Sequence, residues 1–178
     1  LDEMVLEDIR EVFIEDDNFA RDPEMFRWII ARLGERGIFW STPNGVYAKA
    51  LNDNMRNLAS SGCWRVSLPF ETGTEGTASL MRLGSKWMPQ SEALALVDAL
   101  KAEGIKTCGF FIIGYPGETL DDMKRTLDYA NSLPLDQRNI SIATPYPGTP
   151  LYEMCKAKGY LDKDGPELYR ELLYTHAM

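Results

Sequence analysis

The feature of this sequence that most constrains its fold is a regular alternation of short apolar runs with longer helix-like segments. Five runs have the length and composition of buried strands, and they cover residues 11–15, 37–41, 64–70, 105–113 and 139–143. Helical segments of about ten or more residues separate most of them, which is typical of parallel βα units with right-handed crossovers. Among these segments, residues 23–36 are predicted as a helix with Asp22 as N-cap and Gly37 just past its end, and residues 47–60 as a single helix. The sequence therefore predicts an α/β sheet of five parallel strands.

Polar loops favour a barrel over an open sheet. Each predicted strand runs directly into a loop rich in Asp, Asn, Glu, Gly or Pro, so five polar loops are expected at the carboxyl ends of the strands. An open doubly wound sheet needs such loops only where its strand order reverses. Because five strands are too few to close a barrel, we predict a partial (β/α) barrel with helices on its outer face. One such domain is expected over residues 1–178.

Charge and hydropathy limit the classes of partner. The chain carries 27 acidic against 19 basic residues, for a net charge of -8, and has no basic cluster. This balance argues against direct binding of nucleic acid or of an anionic membrane surface. The longest apolar runs fall far short of the ~20 residues of a membrane-spanning helix. We therefore predict a cytoplasmic protein that acts on a small-molecule substrate.

Cysteine spacing limits the classes of metal site. Cys63, Cys108 and Cys155 lie about 45 residues apart, without a CxxC or CxxxC pair. That spacing excludes a zinc ribbon and a complete local iron–sulfur motif. The single histidine, His176, stands close to the C-terminus, so a histidine-based metal site or catalytic triad is not expected. We predict no metal site within this chain.

The segment Phe70–Gly73 is the first candidate site. It places the carboxylate of Glu71 at the mouth of a buried strand, where a carboxylate suits a ligand ammonium group. Gly73 would permit a tight backbone turn toward that ligand. The alternative is a turn glutamate that caps the following segment.

Two further loops carry polar groups at strand ends. In the segment Gly114–Leu120, backbone amides before a helix could meet a polar or anionic ligand edge, or Glu118 could simply complement the helix dipole. Asp16 and Asp17 end the first strand and could bind a cation or orient a substrate hydroxyl. They are too few for a calcium loop of the EF-hand kind, and solvated turn residues are the alternative.

The order of these motifs resembles the catalytic barrel of radical S-adenosylmethionine (SAM) enzymes. The matching segments are residues 13–19, 42–46, 61–63, 70–73, Lys86, residues 111–118 and residues 145–149. Within that superfamily the chain looks most like the cobalamin-binding-domain-associated branch, which includes methyltransferases and the anaerobic Mg-protoporphyrin ester cyclase. The resemblance covers nearly the whole chain, from the second barrel strand to just past the sixth.

The resemblance implies roles for residues at the ends of the early strands. Glu71 matches the carboxylate that holds the SAM amino group. Thr72 stands where the family often has serine, retains the hydroxyl, and is also expected to contact the cofactor. Asn44 matches a strand-end position that faces the cofactor. Asp16 and Asp17 match positions at the rim, next to cofactor or substrate.

The later strands carry the remaining implied contacts. Ile112, Ile113 and Gly114 match the fifth-strand segment beside the adenine. Tyr146, in a proline-rich turn, matches the sixth-strand loop near the nucleoside. Glu118 is expected at the rim with the acidic residues of the first loop.

One family motif is absent. The family's CxxxCxxC, whose thiolates hold a 4Fe–4S cluster and leave one iron for SAM, does not occur in this sequence. The resemblance therefore implies a fragment of a longer enzyme, which the initial Leu1 also favours, and the fragment alone is expected to bind no iron and to be inactive. SAM and the cluster would be cofactors of the parent enzyme, with cobalamin on another domain. The open sheet edge left by the missing strand could form dimers.

Two other functions fit parts of the pattern. A conventional phosphate-binding TIM-barrel lyase or aldolase would use Asp16, Asp17 and Glu71 for acid–base chemistry. Against it, no strand end presents a lysine for a Schiff base, the nearest being Lys86 on a loop. A non-catalytic scaffold module is the third possibility.

Overall fold

The computed structural model of this 178-residue chain describes residues 7–16, 19–52 and 54–161. Two compact units make up the chain, one extending to Ser141 and the other beginning at Ile142. None of the helices in the described ranges is long and apolar enough to cross a membrane.

Five parallel strands form a single sheet that curves into half a barrel, as predicted. The strands are β1 (Glu11–Phe13), β2 (Phe39–Thr42), β3 (Cys63–Glu71), β4 (Lys106–Ile113) and β5 (Gln137–Ile142). Their order in the sheet is their order in the chain, and because they are parallel, the loops that follow β1 to β4 leave from the same end of the sheet. β1 lies at the open edge of the sheet, and dimerisation through that edge stays a prediction.

Seven α-helices are described. They are α1 (Pro23–Glu35), α2 (Ala48–Asn52), α3 (Met55–Ser60), α4 (Glu75–Leu80), α5 (Gln90–Ala102), α6 (Leu120–Ser132) and α7 (Pro150–Ala157). A short 3-10 turn, Gly84–Lys86, separates α4 from α5. The helices between consecutive strands are the crossovers that parallel pairing requires.

Local signals set the ends of α1. The Asp22 carboxylate accepts hydrogen bonds from the Glu24 and Met25 amides at 2.9 and 3.1 Å, and Pro23 occupies the first helical position. Gly37, just past the helix, has a φ of 63°, a conformation that suits glycine. The predicted limits of residues 23–36 are therefore correct to within one residue.

The predicted single helix over residues 47–60 is wrong, because two short helices, α2 and α3, occupy this stretch. The Asn54 side chain is buried and donates a hydrogen bond to the Ala50 carbonyl at 3.1 Å. The Asn54 carbonyl accepts from the amides of Asn57 and Leu58, so a new helix begins there. Asparagine thus competes with the helical hydrogen bonds and separates the two helices.

An aromatic cluster fills the core beneath the ends of β3 and β4. The rings of Phe70 and Phe111 stack with centroids 5.8 Å apart, and Tyr129 of α6 meets both edge-on at 5.9 Å. The Tyr129 hydroxyl donates a hydrogen bond to the Met88 carbonyl at 3.0 Å. Burial raises the pKa of that hydroxyl well above its usual value, which keeps it a neutral donor. The cluster therefore gives the strand ends a rigid base.

Candidate cofactor-binding site

A pocket of about 180 Å³ opens at the carboxyl ends of β2 and β3. Its lining consists of Asn44, Gly45, Val46, Tyr47, Ala48, Pro69, Glu71 and Lys86. The pocket therefore brings together two residues predicted as cofactor contacts, Asn44 and Glu71. The ammonium group of Lys86, for which no cofactor role was predicted, lines the same pocket.

The backbone at Glu71 forms an irregular strand end. The register of β3 against β4 shifts between Pro69 and Glu71, so Phe70 is an extra residue that pairs with nothing on β4. Glu71 has a φ of 65°, and the amide of Thr72 donates to the carbonyl of Phe70 at 2.8 Å across it. A non-glycine residue at the centre of such a three-residue turn is strained by about 1–3 kcal/mol.

Burial and charge act in opposite directions on the Glu71 carboxylate. Partial burial raises the pKa of Glu71, and the nearby ammonium of Lys86 lowers it by a smaller amount. The carboxylate is thus incompletely solvated and incompletely neutralised. A second cation in the pocket would complete the neutralisation of this carboxylate. The strain and the raised pKa are both typical of a residue kept for binding rather than for stability.

Asn44 holds two of the strand-end loops together. Its Nδ2 atom donates to the carbonyl of Glu15, in the loop after β1, at 2.9 Å. The amide of Val46 donates to the carbonyl of Ser67 at 3.0 Å, which fastens the loop after β2 to β3. Asp16 follows Glu15 in this region, whereas Asp17 lies outside the described residues.

Thr72 and Gly73 face a helix rather than the pocket. The Thr72 side chain is fully buried, and its Oγ1 lies 3.1 Å from Oγ1 of Thr126, which also accepts from the Gly73 amide at 3.1 Å. A Cβ atom at Gly73 would lie 2.8 Å from the Arg125 carbonyl and from Cβ of Tyr129. The expectation that Gly73 lets the backbone turn toward a ligand is therefore corrected, because this glycine lets α6 approach closely. The Thr72 hydroxyl is thus engaged by Thr126 of α6, and the predicted contact of Thr72 with the cofactor stays a prediction.

Replacing Thr126 by valine should lower the free energy of unfolding by about 1–3 kcal/mol, because the Gly73 amide and the Thr72 hydroxyl lose a partner in a poorly hydrated place. Urea denaturation measures this loss. Thr126→Ser is the matched control, since it keeps the hydroxyl and should cost ~1 kcal/mol for one methyl group. Equal losses in the two variants would show that these hydrogen bonds contribute nothing.

The end of β4 lies beside the pocket strand. Ile112 and Ile113 are half-buried and extend beyond the last paired residues of the two strands, Glu71 and Phe111. Gly114, which follows them, is exposed and has a φ of 78°. Two apolar side chains are thus available next to the strand that carries Glu71. Their predicted contact with adenine stays a prediction.

Glu118 closes the loop after β4. Its Oε2 atom accepts from the amides of Gly114 and Tyr115 at 2.6 and 3.0 Å. Helix α6 is capped separately, by a reciprocal pair of hydrogen bonds between Thr119 and Asp122. The interpretation of Glu118 as a first-turn residue that complements the helix dipole is therefore wrong, whereas a ligand contact by other backbone amides of this loop stays a prediction. The Gly114 and Tyr115 amides are occupied by Glu118, and Glu118 stands outside the first turn of the helix.

Tyr146 lies in the unit that begins at Ile142, within a turn that leads into α7. Its amide donates to the Thr144 carbonyl at 3.0 Å, and its own carbonyl accepts from the Thr149 hydroxyl at 2.6 Å. Thr149 then caps α7 by accepting from the Tyr152 amide at 3.2 Å. The Tyr146 side chain is 42% exposed, and its role near a nucleoside stays a prediction.

The cysteines do not fit an iron–sulfur cluster. Cys63 begins β3, Cys108 lies within β4 and Cys155 lies in α7, and all three side chains are buried. Burial raises the pKa of Cys63 to about 12, whereas a cluster ligand must be a thiolate. Over residues 7–16, 19–52 and 54–161, no group of three or more His, Cys, Asp or Glu side chains is arranged to hold a metal ion.

Sequence comparison decides the family. The model of the radical SAM superfamily matches residues 2–130 of this chain. The chain belongs to the radical SAM superfamily. The family prediction from the strand-end motifs is thereby confirmed.

Two named proteins illustrate the similarity over most of this chain. Cytidylyl-2-hydroxyethylphosphonate methyltransferase of Streptomyces wedmorensis is 29% identical over 91% of this chain and 31% of its own length. A tRNA-2-methylthio-N(6)-dimethylallyladenosine synthase of Treponema pallidum is 28% identical over 78% of this chain and 31% of its own length. The chain thus spans about a third of the length of the curated relatives it matches.

A solved structure supports the fold. The radical SAM methyltransferase TsrM of Kitasatospora setae, determined with tryptophan substrate and a SAM analog bound, superimposes with a TM-score of 0.72 and 16% identity. The match covers 92% of this chain and 33% of TsrM. Because the identity is only 16%, this similarity is evidence for the fold alone, and it supports a half-barrel fold for this radical SAM chain.

Proposed function

We propose that this chain is the part of a radical SAM enzyme that binds the amino acid end of SAM, in the pocket between β2 and β3. The observation that carries the proposal is one pocket with both a half-buried carboxylate, Glu71, and an ammonium, Lys86. The amino acid end of SAM carries an ammonium and a carboxylate, so the two side chains complement its two charges. Asn44 lines the same pocket and holds its outer loop in place.

The other predicted contacts are proposed for the remainder of SAM and for the substrate. Ile112, Ile113 and Gly114 would pack beside the adenine, which their partial burial and apolar character support. Tyr146 would lie near the nucleoside. The rim positions Asp16, Asp17 and Glu118 would face cofactor or substrate, with Glu118 acting chiefly through the loop that it closes.

The whole protein is proposed to cleave SAM reductively and to act on a small-molecule substrate, by methyl transfer or other radical chemistry. Its relatives support this, since two similar proteins are named as methyltransferases. The cysteines of this chain do not fit the cluster, so its ligands, and any cobalamin site, are proposed to lie in another part of the enzyme. The cytoplasmic location remains a prediction that rests on the short apolar runs, and the lack of a nucleic acid partner one that rests on the charge.

Glu71→Gln tests the site. The neutral amide keeps the shape of the side chain but replaces a charge-assisted bond, so SAM binding should weaken by roughly 1–3 kcal/mol, about 5- to 150-fold. Isothermal titration calorimetry on the longer enzyme, which includes the first barrel strand and the cluster loop, measures the change. Glu75→Gln, which removes the same charge from the exposed first turn of α4, is the matched control and should leave SAM affinity unchanged.

The pH dependence separates binding from structural capping. The pKa of Glu71 is raised in the folded chain, so the stability that this group contributes is fully present below its unfolded pKa and is lost as pH rises through the folded pKa. SAM affinity should change in the opposite direction, because an ammonium needs the ionised carboxylate. If Glu71→Gln lowers the melting temperature and leaves SAM affinity unchanged at every pH, the residue is a structural cap and the proposal fails.

A further inference from the structure

Lys86 lies in a short turn between helices α4 and α5. It is the last residue of the 3-10 turn Gly84–Lys86, and its side chain is exposed. Local hydrogen bonds in this turn join the Lys86 amide to the Leu83 carbonyl at 3.0 Å and the Trp87 amide to the Gly84 carbonyl at 3.3 Å. A long flexible side chain on such a turn would lose rotamer entropy when a ligand binds, and motion of the turn would add to that loss.

The residue before Lys86 is fixed to the loop after β2. The Tyr47 hydroxyl donates a hydrogen bond to the Ser85 carbonyl at 3.3 Å. Tyr47 belongs to the same loop as Asn44, and its half-buried side chain lines the pocket. This contact therefore joins the Lys86 turn to one wall of the site.

The residue after Lys86 is fixed to the end of β3. The indole Nε1 of Trp87 donates to the Thr72 carbonyl at 3.1 Å. Thr72 directly follows Glu71, and its own side chain is anchored on Thr126. The two neighbours of Lys86 are thus hydrogen-bonded to the two segments that carry Asn44 and Glu71.

We infer that Tyr47 and Trp87 are positioning residues, which set the place of the Lys86 ammonium relative to Glu71 and Asn44. The two links hold the base of the lysine side chain, so less freedom remains to be lost when a ligand with an ammonium and a carboxylate binds. This inference rests on the proposed function of the pocket. Tyr47 and Trp87 would thus affect the affinity for the ligand indirectly, by fixing the position of Lys86.

Tyr47→Phe and Trp87→Phe test the two links. Each removes one neutral hydrogen bond and keeps an aromatic ring, so SAM affinity measured by calorimetry should fall about 3- to 10-fold in each variant. Both should have no further effect in a chain that already carries Lys86→Met, because the group they position is gone. Tyr160→Phe, which changes an exposed tyrosine in the other unit, is the control and should bind SAM like the parent chain.

A measurement without ligand complements the binding cycle. Hydrogen exchange of the amides at residues 84–87 should be faster in Tyr47→Phe and in Trp87→Phe, with exchange in α5 unchanged. The inference is overturned if exchange at the turn does not change. It is also overturned if the two variants lower SAM affinity equally with and without Lys86, or leave it unchanged while Lys86→Met and Glu71→Gln reduce it. If neither of these last two variants affects SAM affinity, the proposed function itself fails.

Discussion

Replacing Phe111 by alanine should lower the free energy of unfolding by about 3–5 kcal/mol, the usual cost of removing a fully buried phenylalanine side chain. Phe111 is 1% exposed, stacks on Phe70 and meets the edge of Tyr129, so the cavity would open in the middle of the aromatic cluster. Chemical denaturation of the two proteins gives the difference.

The neighbouring residue provides the control for this prediction. Phe110 lies on the other face of β4 and is half-buried, so Phe110→Ala should destabilise the chain by less than half as much. Similar losses in the two variants would contradict the assignment of the core to the Phe111 face of the strand.

Glu71→Gly should weaken SAM binding by about 2 kcal/mol or more, which is ~30-fold or more, because truncation leaves the ligand ammonium without its partner. The same substitution should relieve the backbone, since glycine adopts a φ of 65° without the ~1–3 kcal/mol penalty of other residues. Glu71→Gly is therefore expected to be more stable than Glu71→Ala by that amount, although both lose affinity. Calorimetric titration and thermal denaturation of the two variants give the two quantities.

The comparison with alanine makes this prediction specific. Both variants remove the carboxylate, so any difference in stability between them reports on the backbone alone. Equal stabilities would show that Glu71 is unstrained. A glycine variant with undiminished SAM affinity would remove Glu71 from the site.

The fold was predictable where the signals are local or periodic. The cap of α1 needs only Asp22, Pro23 and Gly37, which are adjacent to the helix in sequence. Period and length identify β4, the most apolar run of the chain. The parallel order followed from the alternation of strands and helices, because each crossover leaves its strands pointing the same way.

The errors occur where a distant or unusual contact overrides the local pattern. The break between α2 and α3 depends on one buried asparagine, Asn54, whose side chain bonds to the backbone instead of to water. The role of Gly73 depends on the approach of α6, more than 45 residues further along the chain. Glu118 folds back onto Gly114, a contact within the loop that propensity alone does not reveal.

The site was partly predictable for a topological reason. Asn44 and Glu71 are distant in sequence, but each follows a strand of one parallel sheet, so the fold carries them to the same edge. Their roles as cofactor contacts stay predictions. Tyr47 and Trp87 were missed because their hydrogen bonds join two loops through backbone carbonyls, which any residue supplies. The sequence signal for these contacts is weak, since it consists of an aromatic residue with a hydrogen-bond donor in each segment.

The irregular end of β3 also bears on how such a chain tolerates change. Below the shift, Arg65 to Pro69 pair with β4 in one register, whereas above it Glu71 pairs with Phe111 in a shifted register and is spanned by the hydrogen bond between Thr72 and Phe70. The lower strand can therefore be exchanged for that of a distant homologue without moving the carboxylate, as long as Phe70 and the turn are kept. Chimeric enzymes should accordingly be joined at Phe70, where the scaffold ends and the binding chemistry begins.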